Sequence, residues 1–110
     1  MDKTTCNDRA VTLVLTTVGT TEDAASIAAI LVQEKIVACC QAMPVRSTYR
    51  WKENLCQEAE VLLFAKTAAP EKTVARIKEI HPYELPEIIV LPVVAGYEPY
   101  LQWVREATAL

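Results

Sequence analysis

Val45-Arg46-Ser47-Thr48-Tyr49-Arg50-Trp51-Lys52-Glu53-Asn54-Leu55-Cys56-Gln57-Glu58-Ala59-Glu60-Val61 is the stretch that decides the fold. Val45, Ser47, Tyr49 and Trp51 alternate with Arg46, Thr48, Arg50 and Lys52. Beyond the middle, Cys56, Glu58, Glu60, Leu62 and Phe64 alternate with Leu55, Gln57, Ala59, Val61 and Leu63. A period of two is the signature of strands. Glu53-Asn54 reads as the tight turn between them, since Asn tolerates the left-handed conformation. The arms run over 36–52 and 55–66. Pro44 has no N–H for a ladder and marks a bulge, an edge or a break. Typical strands have about five or six residues. At about 3.4 Å per residue these arms span roughly 40–50 Å, more than the width of a small domain. The tip carries Trp51 and Leu55. An exposed edge of this kind aggregates unless it is paired. A second copy of the chain is the natural partner, so an oligomer is expected.

Outward from the hairpin, the elements fall into a simple order. Residues 10–17 read as a strand with Val11, Leu13 and Leu15 on one face. Thr20 with Asp23 resembles a capping arrangement. Ala24, Ile27, Ala28 and Leu31 then recur at helical spacing, for a helix reaching about Lys35. After the hairpin, Ala69-Pro70-Glu71 starts a helix with Val74, Ile77 and Ile80 as its apolar stripe. His81-Pro82 ends it, because the residue before proline avoids the helical region. Residues 85–94 hold the apolar run Ile88-Ile89-Val90-Leu91, read as a buried strand. A last helix after Gly96 carries Tyr97, Tyr100, Leu101, Val104 and Thr108 on one side. The order β-α-β-β-α-β predicts an α+β, ferredoxin-like sandwich with an added C-terminal helix. Two helices then cover one face of the sheet. The expected organisation is a flexible N-terminus over 1–9 and one domain over 10–110.

Composition narrows the function classes. The chain has 110 residues, 52% hydrophobic and 23% charged, enough for a real core. A net charge of -3 with no basic stripe disfavours nucleic acid. Apolar runs are too short for a membrane span, and no signal peptide is evident, which points to a cytoplasmic protein. Cys6, Cys39, Cys40 and Cys56 include no CxxC pair. Adjacent Cys39 and Cys40 belong on opposite faces of a strand.

Four segments in order carry a family resemblance: Glu34-Lys35-Ile36-Val37-Ala38-Cys39, Tyr49-Arg50-Trp51, Gln57-Glu58-Ala59-Glu60-Val61 and His81-Pro82-Tyr83-Glu84-Leu85-Pro86-Glu87-Ile88. Over about 11–103 the chain resembles the CutA family of divalent-cation tolerance proteins. The resemblance implies a cytoplasmic homotrimer of ferredoxin-like subunits whose hairpins pair with one another. It also implies a role in tolerance of copper and other divalent metals. The family usually has Gly in the tip turn. Glu53 stands there instead, which is expected to pass the left-handed position to Asn54. A copper site in the family uses a Cys at the end of the first strand and two adjacent His at the end of the second helix. The matching positions are Thr16, Ile80 and His81, so one of those ligands is kept.

The candidate residues each have a functional and a plainer reading. His81, the only histidine, is a metal-ligand candidate, or a helix-ending residue that hydrogen-bonds at a subunit boundary. Cys39 is a second metal candidate, or a small buried apolar residue. Glu58 and Glu60 suit hard cations or acid–base chemistry, or are solvated strand-face charge. Glu87, next to Pro86 before an apolar strand, is a pocket candidate. Trp51, Lys66, Tyr83 and Glu87 are candidates for an intersubunit cleft, where an aromatic wall and a cation suit a small anionic ligand. That constellation supports an alternative to the metal role: a small-molecule-sensing trimer, similar in assembly to the trimeric nitrogen-signalling proteins. The chain has no GxSxG, no phosphate loop and no Ser-His-Asp motif, so an enzyme is not expected. Beyond a divalent metal, no cofactor is indicated.

Overall fold

The computed structural model describes residues 9–108. The expectation of a flexible stretch over 1–9 falls almost wholly outside them, as does Cys6. Seven elements follow the expected order: β1 (Thr12–Val18), α1 (Thr21–Gln33), β2 (Cys39–Trp51), β3 (Asn54–Thr67), α2 (Pro70–Ile80), β4 (Ile88–Pro92) and α3 (Glu98–Ala107). The strands form one antiparallel sheet in the order β2-β3-β1-β4. Among the described residues no helix is long and apolar enough to cross a membrane.

Residues opposite one another across a ladder share a face. Val14, Val18, Val61, Leu63 and Ala65 therefore point together, and they form the core with Ala24, Ile27 and Leu31 of α1 and Ile77 of α2. Leu13, Leu15, Leu62 and Phe64 point the other way, toward the face that α1 and α2 leave open. Cys40 packs on the core side, and Cys39 takes the opposite face.

Local chemistry sets the ends of the helices. The Thr20 hydroxyl caps α1 by accepting from the Asp23 N–H at 3.0 Å. The helix stops at Gln33, two residues before the expected end. Lys35 adopts a φ of 62°, and the Ile36 N–H reaches back to the Leu31 carbonyl at 3.0 Å. This is a Schellman ending with lysine where glycine is usual. Arg76 of α2 grips the Glu34 carboxylate through two bonds of 2.8 Å, tying the two helices together.

The hairpin is long, but β2 begins at Cys39, three residues after the expected start at 36, because Ile36 and Val37 are buried in the core as the chain leaves α1. β2 and β3 pair without a break from Cys39 opposite Lys66 to Trp51 opposite Asn54. β1 covers β3 only from Val61 to Thr67, so the outer hairpin is a two-stranded ribbon. It stretches the molecule to 55 × 26 × 21 Å. Pro44 sits in register opposite Val61 on an edge strand, so of its three readings the edge applies.

Two expectations need correction. The tip turn is Lys52-Glu53, with φ of 50° and 72°, and Asn54 is already in the ladder. A two-residue turn with both central residues left-handed matches the twist of the strands; the pairing of Trp51 with Asn54 forces it here. The second correction concerns the last strand. It covers only Ile88–Pro92, and Ile89, Val90 and Leu91 are 45%, 40% and 41% exposed. β4 lies at the sheet edge, so one subunit cannot bury it.

Candidate functional site

Where the ribbon leaves the sheet, the segment after α2 folds over the open face. His81 ends α2 with an extended ψ of 135° and turns the chain toward β1. Its Nε2 lies 2.8 Å from the Thr17 carbonyl, and its Nδ1 lies 3.1 Å from the Tyr83 backbone N. The amide can only donate, so Nδ1 accepts and Nε2–H donates to Thr17. The Tyr83 ring meets the imidazole edge-on at 4.9 Å. Both ring nitrogens of the only histidine thus hold the loop in place.

Beneath this loop is a cleft of about 850 Å³. Thr17, Tyr49, Trp51, Glu58 and Glu60 form its floor, and Tyr83, Glu84 and Glu87 are among its loop residues. The Tyr83 hydroxyl donates to Glu60 at 2.6 Å, and the Tyr49 hydroxyl to Glu58 at 2.7 Å. Thr17 donates to Glu87 at 3.4 Å. Burial first, and then the Glu60 carboxylate, push the Tyr83 phenol far above its usual range. The bond to Glu58 pushes Tyr49 up to about 12. Both phenols therefore stay protonated donors at neutral pH. Gly19 makes room for the roof: a Cβ there would stand 3.3 Å from the Tyr83 hydroxyl.

The structure brings Trp51, Tyr83 and Glu87 to one cleft and leaves Lys66 out. Lys66 bonds the Gln41 side chain and sits 6.0 Å from the Tyr100 ring. Neither Lys nor Arg lines the cleft, so within one subunit the expected match to an anion loses its cation. Cys39 is directly opposite Lys66, whereas His81 is held at Thr17, which faces Leu62. Leu62 and Lys66 are about 13 Å apart along β3 at the usual rise. Thr16 is 1% exposed and points into the core, where Ile80 also packs. Among the described residues no three His, Cys, Asp or Glu converge on a point that suits one metal ion.

Some site residues were missed or misjudged in the sequence. Glu60 is no solvated strand charge: it is 7% exposed. Tyr49 and Thr17 gave no signal alone. The register supplies it, placing Tyr49 opposite Cys56 and diagonal to Glu58. The closeness of Gly19 to Tyr83 has no local sequence mark.

Residues 12–107 match the family model of the CutA1 divalent ion tolerance protein. The chain belongs to the CutA1 family. Divalent-cation tolerance protein CutA of Thermus thermophilus is 42% identical over 99 residues, covering 87% of this chain and 96% of the relative. Human protein CutA is 40% identical over 89 residues, which cover 77% of this chain and 49% of the human protein. The solved apo form of the PII-like protein CutA from Nostoc sp. PCC 7120 superposes with a TM-score of 0.84 at 42% identity, covering 90% of this chain and 98% of that one. The loop, the ribbon and the cleft all lie within the CutA1 match.

Proposed function

We propose that the chain acts as a non-enzymatic cytoplasmic homotrimer in tolerance of divalent metals, copper among them. Metal is held weakly at subunit interfaces through His81 and Cys39. The match to the CutA1 divalent ion tolerance family over 12–107 carries this reading. Assembly is supported by the outer ribbon, whose two outer edges are unpaired within the subunit, and by the half-exposed Met43, Ile89 and Leu91 on the open face. Weak binding follows from the site: a metal on His81 must first break a hydrogen bond, each worth about 0.5–1.5 kcal/mol. The separation of Cys39 from His81 asks for ligands from two subunits. The same two bonds leave the imidazole unavailable as a general base, which supports a role without catalysis. Free thiols at Cys39, Cys40 and Cys56 suit a reducing compartment. Titration calorimetry with copper, zinc and cadmium tests the reading. Saturable heat that a His81→Ala, Cys39→Ser double variant loses is expected; equal heat in both sinks it.

A second reading is favoured by the cleft itself. Its volume of about 850 Å³ is in the range of small-molecule sites, and it suits a signalling trimer that senses a metabolite. Metal-independent thermal stabilisation by a metabolite is the expected sign, and a screen with no stabilising compound counts against it.

A further inference from the structure

Lys66 is the one basic residue that the strands place on the open face of the sheet. Arg46 and Arg50, the other basic residues of the strands, lie on the opposite face of the ribbon. Lys66 is half-buried, and its ammonium bonds the neutral Gln41 side chain 6.0 Å from the Tyr100 ring. Among the described residues no carboxylate pairs with it: the ion pairs join Arg76 to Glu34 and Glu79, and Arg105 to Glu98.

The same face carries the opposite charge at its other end. Glu60 lies six residues back along β3, about 20 Å away at the usual rise, and Glu87 of the loop lines the same cleft. The interval is apolar, with Leu62 and Phe64 on β3, Met43 on β2, Leu15 on β1 and Ile89 on β4. One subunit cannot close that gap, and it does not cover the face either, since Met43 and Ile89 are each 45% exposed. A second copy laid over these side chains also takes water from Lys66 and from the cleft. A charge buried there alone is costly, and far less so when it meets its opposite. The two patches differ, so they match only when the Lys66 end of one copy meets the cleft end of the next. Contact between unlike patches is heterologous, the kind that closes into rings.

We infer that the partner subunit's Lys66 enters the cleft beneath the loop after α2 and pairs with Glu60 and Glu87. An ammonium has three donors, enough for both carboxylates. The Tyr83 hydroxyl takes Oε2 of Glu60, which leaves Oε1 for the incoming cation. Cys39 is directly opposite Lys66, so the same contact carries the partner's Cys39 toward the loop that His81 holds, the two-subunit arrangement that the metal reading asks for. The inference rests on the assembly part of the proposed function and names the side chains that complete the cleft.

Subunit exchange between isotopically light and heavy assemblies, followed by native mass spectrometry, is the test. Lys66→Met keeps the aliphatic stem and is expected to speed exchange by about tenfold or more. Glu60→Gln still accepts from Tyr83 and is expected to do the same. The Lys66→Met, Glu60→Gln double variant is expected to fall well short of the product of the two single effects, which a loss of unrelated contacts would not produce. Glu87→Gln, at an exposed position of the loop, takes the place of Glu60→Gln in the cycle should that variant not fold. Unchanged exchange in Lys66→Met, or single effects that multiply in the double variant, overturns the pairing and keeps the assembly. A single-chain mass for the unaltered protein at every concentration overturns both.

Discussion

From Val61 to Thr67, β3 lies between β1 and β2, and its Leu63 and Ala65 are each 1% exposed. From Asn54 to Glu60 the same strand has β2 alone, and its Leu55 is 75% exposed. One ladder runs through both halves, so the backbone cannot account for the difference. What changes is what lies above the sheet. The inner half has α1 and α2 on one side, and the outer half has neither. Hydrophobic burial therefore stabilises the inner half within a single subunit. The outer half is left with its cross-strand pairs, and a lone two-stranded ribbon is marginal in water. The cleft sits at the junction, where Glu60 is the last outer residue. It is buried by the loop that His81 holds down, not by the helices.

The largest effect that sharpens this contrast comes from matching truncations. Leu63→Ala is expected to cost about 2–5 kcal/mol in chemical denaturation, the usual range for a filled core site. Leu55→Ala is expected to cost well under 1 kcal/mol in subunit stability and to lower oligomeric mass at high dilution in light scattering. Equal costs at the two sites would erase the distinction between the halves.

A smaller and opposite effect is expected inside the core. Thr16 Oγ1 is buried with no hydrogen-bond partner, unlike Thr12, Thr67, Thr73 and Thr108, whose hydroxyls all bond backbone carbonyls. Thr16→Val keeps the shape and removes the unmet hydroxyl. It is expected to stabilise the protein by about 1 kcal/mol, read as a higher denaturation midpoint with an unchanged slope. A loss of stability would mean that the hydroxyl has a partner in solution.

The smallest effect lies at the far end of the ribbon. Lys52 and Glu53 both occupy left-handed backbone that glycine and asparagine prefer. Glu53→Gly is expected to add about 0.5–1 kcal/mol, because the turn geometry is already fixed by the register. A destabilised variant would show that the Glu53 side chain contributes more than its strain costs.

These comparisons bear on how much could be read without coordinates. The alternation over 45–61, the stripe of α1 and the Pro70 and Pro82 boundaries gave the element order and hence the fold. The turn was placed one residue late, because Asn54 is the better turn former by type while the pairing of Trp51 with Asn54 sets the position. Trp51, Tyr83 and Glu87, read from residue type as candidates for an intersubunit cleft, line one cleft within the subunit. Lys66 lies outside that single-subunit cleft because its side chain reaches Gln41, a contact nothing local encodes.

The sequence alone determined the elements, because periodicity and backbone-restricting residues act over a few positions. It determined that the hairpin is long for the same reason, though not where its first arm begins. Only the tertiary structure decided which glutamate is buried, which hydroxyls reach the carboxylates, and that both nitrogens of His81 are spoken for. Those outcomes depend on register and on a loop crossing from α2 to β1, between residues 64 positions apart in the chain. No local preference encodes a contact at that separation; burial and hydrogen-bond geometry select it once the sheet has formed.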